Sequence, residues 1–525
     1  MSEAPILKDT TRSTGREALQ KNIQAAMALA EAIRSTLGPK GLDKLLIDDE
    51  GRTLVTNDGV TVLETAKVEH PVAKMMINTS STQDRIAKDG TTSTVILAGE
   101  MLQNAWQLIL QGIHPSTIAR GYRKSEQYLL QCISEIRFDS DDKMKSSVVK
   151  TSLAGKGHSS MQETIARVSL DAVQMVADID STIDISKIKL VSQTGGKVED
   201  SKVFRGLMIP KKRISSDMDK EVNRGKIILI DGGLEKSNVA TDLKLNVTAV
   251  GVLESFRQEE RNMLKRQVDN LVEHGVTVLA CRESIDDEIK NYLSENGIQA
   301  FRRVARSDLN MLARVCDATL VNSVDSLTSN DLGSFIVSKN TTIEGKDFWI
   351  VEGDGKAATI IAKASTVDVV GEVERCFDDS LGVSVQLVEN GSVVCGGGAS
   401  YVALARRLRR YAETIPGREQ LAVEAYADAI EVIVRVLAEN AGIDPITTLL
   451  DVVAKQTNSN SDYIGIDLST GAPGDMVKLG ILEPEGIVKQ AIIGATEVAI
   501  SILRIDDVLW AKQEMQMPDM PDDEM

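Results

Sequence analysis

The hydrophobic period of this chain changes along its length, and that change limits the architectures open to it. In the outer thirds apolar residues recur every three or four positions. Residues 16–37 show this with Leu19, Ile23, Met27, Ala30, Ile33 and Leu37, the mark of an amphipathic helix that Gly38-Pro39 should stop. From about residue 226 the text turns to short β-like runs, KIILI, VTVLA, GIQAF and ATLV, with helical stretches between most of them. These stretches are SFRQEERNMLKRQVDNLVEHG, SIDDEIKNYLSENG and ARSDLNMLARVCD, so the middle predicts an α/β unit, extended by strands in IEGKDFWIVEG and ATIIAKAS. A long helix over 367–390 and the helical stretches SYVALARRLRRYAETI, EQLAVEAYADAIEVIVRVLAENAG and DPITTLLDVVAKQ restore the first pattern. One economical arrangement is an insertion, with both ends building one helical body in an α+β multidomain protein.

At 525 residues, three or so domains are expected. Aromatics are only 3% of residues, so the helices must pack through Ala, Ile, Leu, Val and Met. The 60 basic residues against 77 acidic ones give a formal charge of −17, which repels phosphate backbones and excludes general nucleic-acid binding. Five cysteines without C-x-x-C spacing read as free thiols, and four scattered histidines make a His-rich metal site improbable. No apolar run looks long enough to cross a membrane and no signal-peptide core is visible, so a cytoplasmic protein is expected.

Locally, RTLVT and VTVL around Asn57-Asp58-Gly59 read as a hairpin, and RFDSDDKMKSSVVK (137–150) as a poorly patterned boundary. The Met-rich acidic end from about residue 512 should not order itself. Asp89-Gly90-Thr91-Thr92-Ser93 stands before a helix. Its N–H groups and hydroxyls could hold a phosphate and Asp89 a Mg²⁺, although Asp and Thr there are also ordinary capping residues. Asp58 reads equally as a turn residue, Asp379 as a solvated helix carboxylate, and Lys156 as a surface lysine. Gly396-Gly397-Gly398 could be a hinge, a phosphate contact or a loop. The pattern G-x-x-x-x-G-K-[ST] is absent, so any nucleotide site is not of the P-loop kind.

Read together and in order, these segments resemble the group II chaperonins, the thermosome and eukaryotic cytosolic ring types. The resemblance rests on TLGPKGLDKLL (36–46), TNDGVTVLETAKVEHPVAKM (56–75), TQDRIAKDGTTSTVILAGEML (82–102), IHPSTIARGYRKS (113–125), TSLAGKG (151–157), ENAGIDPI (439–446), ILEPEGIVKQAI (481–492) and ATEVAISILRIDDVL (495–509). It spans nearly the whole chain. It implies a mainly helical equatorial domain (1–143 and 397–525), a small intermediate domain (144–210 and 364–396) and an α/β apical domain (211–363). FRQEERNMLKRQVDNL (256–271) resembles the region of a built-in helical lid.

The resemblance further implies an Mg²⁺-dependent ATP hydrolase that turns over ATP to ADP and encloses non-native proteins in stacked rings of eight or nine identical or paralogous subunits. By the same resemblance Asp89 matches the magnesium ligand, and Gly90, Thr91, Thr92 and Ser93 match the phosphate cradle. Asp58 and Asp379 match the aspartates that activate water, and Lys156 the lysine that senses the γ-phosphate. Leu37, Gly38 and Pro39, with Gly397, match nucleotide-contacting turns, and Glu483 the acid on the ribose. Four positions depart from the family pattern. Lys88 replaces a glycine, Arg85 and Tyr401 stand where acids are common, and Asp378 replaces a histidine. An active folding subunit is the expectation. The alternative is a structural or specialist subunit of a mixed ring with weak ATPase. The match favours no specialised eukaryotic subunit, which points to an archaeal source.

Overall fold

The structure is a computed structural model and describes residues 10–47, 51, 53–65, 68–177, 183–235, 252–343 and 345–511. The expected disordered tail from about residue 512 lies outside the described residues. Chain contacts divide the molecule into two compact units, one made of residues 1–158 and 390–525, the other of residues 159–389. Both ends of the chain therefore belong to one unit.

The first unit starts with β1 (Thr10–Thr14), α1 (Gly15–Arg34), β2 (Lys44–Ile47), β3 (Thr53–Thr56), α2 (Gly59–Thr65) and α3 (Pro71–Ala87). It continues through α4 (Thr91–Leu110), α5 (Pro115–Ile136), β4 (Phe138–Asp139) and α6 (Asp142–Ser152). The second unit holds α7 (Ser159–Val176), β5 (Ile188–Thr194), β6 (Lys202–Arg205), β7 (Leu207–Ile209), β8 (Glu221–Ile230) and α8 (Val252–Glu273). Then come β9 (Val276–Cys281), α9 (Asp287–Glu295), β10 (Gln299–Phe301), α10 (Arg306–Cys316), β11 (Leu320–Val321) and β12 (Gly333–Ile343). β13 (Lys346–Glu352), β14 (Ala358–Ala364) and α11 (Val367–Asn390) complete it. The chain returns to the first unit with β15 (Ser392–Cys395), α12 (Ala399–Ala412), α13 (Glu419–Ile430), α14 (Val432–Asn440) and α15 (Pro445–Ser459). It ends with β16 (Ile464–Asp467), β17 (Ala472–Asp475), α16 (Met476–Leu479), β18 (Leu482–Pro484), α17 (Glu485–Leu503) and β19 (Asp507–Ala511).

Small residues let the helices of the first unit approach closely. A Cβ on Gly99 of α4 would lie 2.5 Å from the Ala30 methyl of α1, and one on Gly121 of α5 would lie 2.5 Å from that of Ala422 on α13. With so few aromatics, Tyr122 and Tyr426 take the largest interior places and meet edge to face at 5.2 Å. Helix α17 is long and apolar enough to cross a membrane by length and composition, contrary to the expectation that no run is. It packs instead against α3, α4 and α5, with Val488, Ala491, Ile492 and Ala495 in the core.

In the second unit β10, β9 and β8 run parallel, as do β8 and β11, while β12, β13 and β7 extend the sheet antiparallel. The runs KIILI and VTVLA are apolar at nearly every position because both faces of this sheet are covered. Ile227, Leu229, Val278 and Ala280 enter one core, and Ile228, Ile230, Leu279 and Cys281 the other. A smaller sheet, β5-β14-β6, lies in the same unit. The expected lid segment 256–271 lies within α8.

Four local readings are corrected. Helix α1 ends at Arg34, before Gly38-Pro39, because Ser35 caps it and the Asn440 amide binds the carbonyls of Arg34 and Leu37 at 3.1 and 2.9 Å. Asn57-Asp58-Gly59 is no hairpin turn. The hairpin is β2 with β3, and VTVL starts α2, burying Val60, Val62 and Leu63. The charged stretch 137–150 contributes to α6, capped by Asp141 accepting from the Met144 N–H at 2.7 Å. The stretch 419–442 is two helices broken at Glu431, whose carboxylate is buried and held by Arg409 at 2.5 and 2.7 Å.

Helix α3 ends on Lys88 at φ 56°, a left-handed position where glycine is the low-cost residue. Its ion pair with Asp84 is long, at 4.0 Å, and on a partly exposed surface. Lys88→Gly should therefore stabilise the protein by about 1 kcal/mol, seen as a higher denaturant midpoint. A lower midpoint would mean that the lysine's side-chain contacts outweigh its backbone cost.

Candidate functional site

A cavity of about 780 Å³ opens in the first unit, within the usual size of small-molecule sites. The start of α4 forms part of its wall. Gly90 is the N-cap at φ 77°, and lacking a side chain it cannot cap, so the N–H groups of Thr91, Thr92 and Ser93 have no partner within the helix. A Cβ on Gly90 would lie 2.8 Å from Ile487 and 3.0 Å from Gln83. The capping reading of Asp89 and Thr91 is thereby corrected. Asp89 instead accepts from the Gly90 N–H at 2.6 Å, and Gln83, buried in α3, donates to the Asp89 carbonyl at 2.8 Å. An open helix start of this kind favours an anion, through its N–H groups and its dipole.

The start of α2 abuts that of α4, since a Cβ on Gly59 would lie 2.4 Å from Thr92 Oγ1. Asp58 sits at the junction. Its Oδ2 accepts from the Thr61 N–H at 2.9 Å and the Thr61 hydroxyl at 2.5 Å. Among the described residues Oδ1 has no hydrogen bond, so one oxygen is anchored and one is available. Asp89 is half-buried on the cavity wall, and burial pushes its carboxyl above the usual range. Lys156 draws it down, and the charges of Asp58 and Asp84 push it further up. The cavity thus gathers Asp58, Asp89 and Lys156, with Asp58 and Lys156 both within electrostatic reach of Asp89.

Glycine turns line the remaining walls. Gly38, at φ 81°, lies so close to Leu437 that a Cβ would fall 2.4 Å from its methyl. Gly396 donates to the Ile481 carbonyl at 2.9 Å, and the Gly397 carbonyl accepts from Ile466 at 3.0 Å. Glu483 stands on β18 opposite Val394 of β15. Leu37, Gly38, Pro39, Gly90 to Ser93, Gly397 and Glu483 all line the cavity with Asp58, Asp89 and Lys156. Asp379 is half-buried on α11 in the second unit, beside exposed Asp378. Sequence reasoning missed Ser147 and Thr151 of α6 as lining residues, and Gln83 as the residue that ties the Asp89 turn to α17 through the Ile487 carbonyl at 3.4 Å. The charge of α6 masked its weak apolar period, while Gln83 gave no signal beyond an interior polar position on a helix.

The family model of the TCP-1/cpn60 chaperonins matches residues 29–513. A thermosome subunit of Methanopyrus kandleri is 42% identical over 96% of this chain and 93% of its own length. One of Pyrococcus horikoshii is 41% identical over 97% and 94%, and a thermosome subunit beta of Thermoplasma acidophilum 41% over 97% and 95%. A multidomain chain with this cavity and these relatives is a chaperonin subunit. It belongs to the TCP-1/cpn60 chaperonin family, in its group II branch, whose general function is ATP-driven protein folding.

Glu483 is pushed up to about 8 by burial first and the Asp89 charge second. A carboxyl raised above its ordinary 4.5 holds a proton in the fold that the unfolded chain has released, so stability falls as pH rises from 4.5 through about 8. Glu483→Gln should remove that fall. In ligand-free urea unfolding, the variant should gain on the wild type between about pH 5 and about pH 9. An equal difference at both pH values would show Glu483 ionised throughout.

Proposed function

We propose that the cavity of the first unit is an ATP site, and that the chain is an Mg²⁺-dependent ATP hydrolase whose turnover drives folding of non-native proteins. The observation that carries this reading is the open start of α4 beside half-buried Asp89 on one cavity. Among the described residues no group of three or more His, Cys, Asp or Glu could hold a metal alone. That suits Mg²⁺, which takes one or two carboxylates and completes its octahedron with phosphates and water. Asp89 would hold it, and the ion would supply charge neutralisation to the phosphates.

Gly90, Thr91, Thr92 and Ser93 would cradle the phosphates, with Gly38 and its neighbours Leu37 and Pro39, and Gly397, closing the turns around the nucleotide. Glu483 would meet the ribose. Lys156 would pair with the γ-phosphate. Asp58, anchored by Thr61, would orient the attacking water through its available oxygen, and Asp379 would help take the proton. Water adds to the γ-phosphorus, the bond to the bridging oxygen breaks, and ADP and phosphate leave. Coupling of hydrolysis to closure of the built-in lid belongs to the same reading.

The three-domain division follows the same reading, with equatorial 1–143 and 397–525, intermediate 144–210 and 364–396, and apical 211–363. The apical segment 256–271 would serve the lid. Assembly into stacked rings of eight or nine identical or paralogous subunits is supported by β2 and β3, an isolated hairpin that exposes Leu45 at 62%, Ile47 at 66% and Val55 at 58%. Five buried free thiols suit the reducing cytoplasm.

Purified protein should release phosphate from ATP only with Mg²⁺, and Asp89→Ala should abolish this. Asp379→Ala should lower kcat by roughly a hundredfold or more while leaving ADP affinity nearly unchanged. Absence of any Mg-dependent hydrolysis by the assembled wild type would end the reading. Replacing Leu45 and Ile47 together by Asp should yield smaller particles by electron microscopy. Intact rings would remove the hairpin from the assembly contacts.

A further inference from the structure

Tyr401 is the third residue of α12, which starts at Gly398 with φ 73°. Its residue surface is only 4% exposed, yet it lines the cavity. Buried phenols ordinarily find a partner. The two tyrosines buried deepest in the first unit do so. Tyr122 donates to the Met101 carbonyl at 2.7 Å, and Tyr426 bonds to the Thr496 hydroxyl at 2.6 Å. Among the described residues the Tyr401 hydroxyl has no such partner, and it is not one of the unpartnered atoms sealed away from all open space. The ring is thus held by packing while its polar end reaches the cavity unspent. Neither Thr nor Ser at this position could combine a packed ring with a hydroxyl at that reach.

The acidic groups within electrostatic reach of it are Glu483 and Asp89, one at the proposed sugar end and one at the proposed metal end. Burial first, and the nearby acids after it, keep the phenol in its neutral, donating form. Lining the same cavity as both, within reach of each, it suits the junction of sugar and phosphate. We propose that Tyr401 is a nucleotide-binding residue whose hydroxyl donates a hydrogen bond to an α-phosphate oxygen, a contact that an acid at this position could not make. The proposal rests on the reading of this cavity as the ATP site.

Tyr401→Phe removes one oxygen and keeps the ring, so packing is retained. By calorimetry on the assembled protein, AMP and ADP should each bind the variant about tenfold or more weakly, as expected for a hydrogen bond to a charged group, while adenosine binds both proteins alike. Tyr401→Glu should weaken AMP and ADP more than Phe does. The ultraviolet difference spectrum on adding ADP should contain a phenol contribution in the wild type that is missing in the Phe variant. Equal AMP affinity in wild type and Phe variant overturns the proposal and leaves the ATP site standing. Equal weakening of adenosine and AMP also overturns it, since the hydroxyl would then serve the cavity wall and not the phosphate. A wild type that binds none of the three overturns both the contact and the site.

Discussion

The site depends on the start of one helix being left open. Every α-helix begins with N–H groups that lack partners, and most proteins answer them with a Ser, Thr, Asp or Asn side chain. Here Gly90 occupies the capping place, and the neighbouring carboxylate of Asp89 is turned to its N–H at 2.6 Å. The first N–H groups of α4 are thereby left without a side-chain cap, an arrangement that favours an anion. The arrangement is held from behind, by Gln83 on the Asp89 carbonyl and by the close approach of Gly59 to Thr92. A side chain on Gly59 would push α2 away and carry Asp58 with it.

That open end can be tolerated because α4 is otherwise among the most buried helices of its unit. Thr94 through Gly99, with Met101, Leu102 and Ala105, are buried, and α1 and α17 pack on it. The interior packing of Ala, Val, Ile and Met anchors a helix whose first turn would be costly if it stood alone. Rigid packing behind and unmet polarity in front are the same feature seen from two sides, and such preorganisation is what the proposed phosphate cradle would require.

Three of the four positions expected from the resemblance to depart from the family pattern fall into two physical kinds. Lys88 and Arg85 affect the last turn of α3. Lys88 occupies a left-handed position at a backbone cost, while exposed Arg85 adds a basic charge near a helix C-terminus, where the dipole favours it. They touch stability and do not line the cavity. Tyr401 is different in kind, because it puts a neutral phenol on the cavity wall. Asp378 is exposed on α11 next to Asp379, and nothing in the structure explains it.

Much of this was legible along the chain. The α/β rhythm of the middle shows in KIILI and VTVLA, because a strand covered on both faces must be apolar at successive positions, and local text records that directly. The Asp89-Gly90-Thr91-Thr92-Ser93 turn was visible as a string, but its meaning was not, since the same residues cap helices elsewhere. What decided it was which residue took the N-cap, and that depends on Gln83 and Ile487 arriving from distant segments. Asn57-Asp58-Gly59 was misread for the same reason. Its glycine serves a close approach to Thr92 and not a reversed turn, and no local pattern reports a neighbour contributed by another helix. Sequence by itself determined most of the elements and the list of chemically able residues, because propensity and periodicity are local. Tertiary structure alone decided which helix end stays open and which phenol has no partner among the described residues, because both are set by packing between segments far apart in the chain.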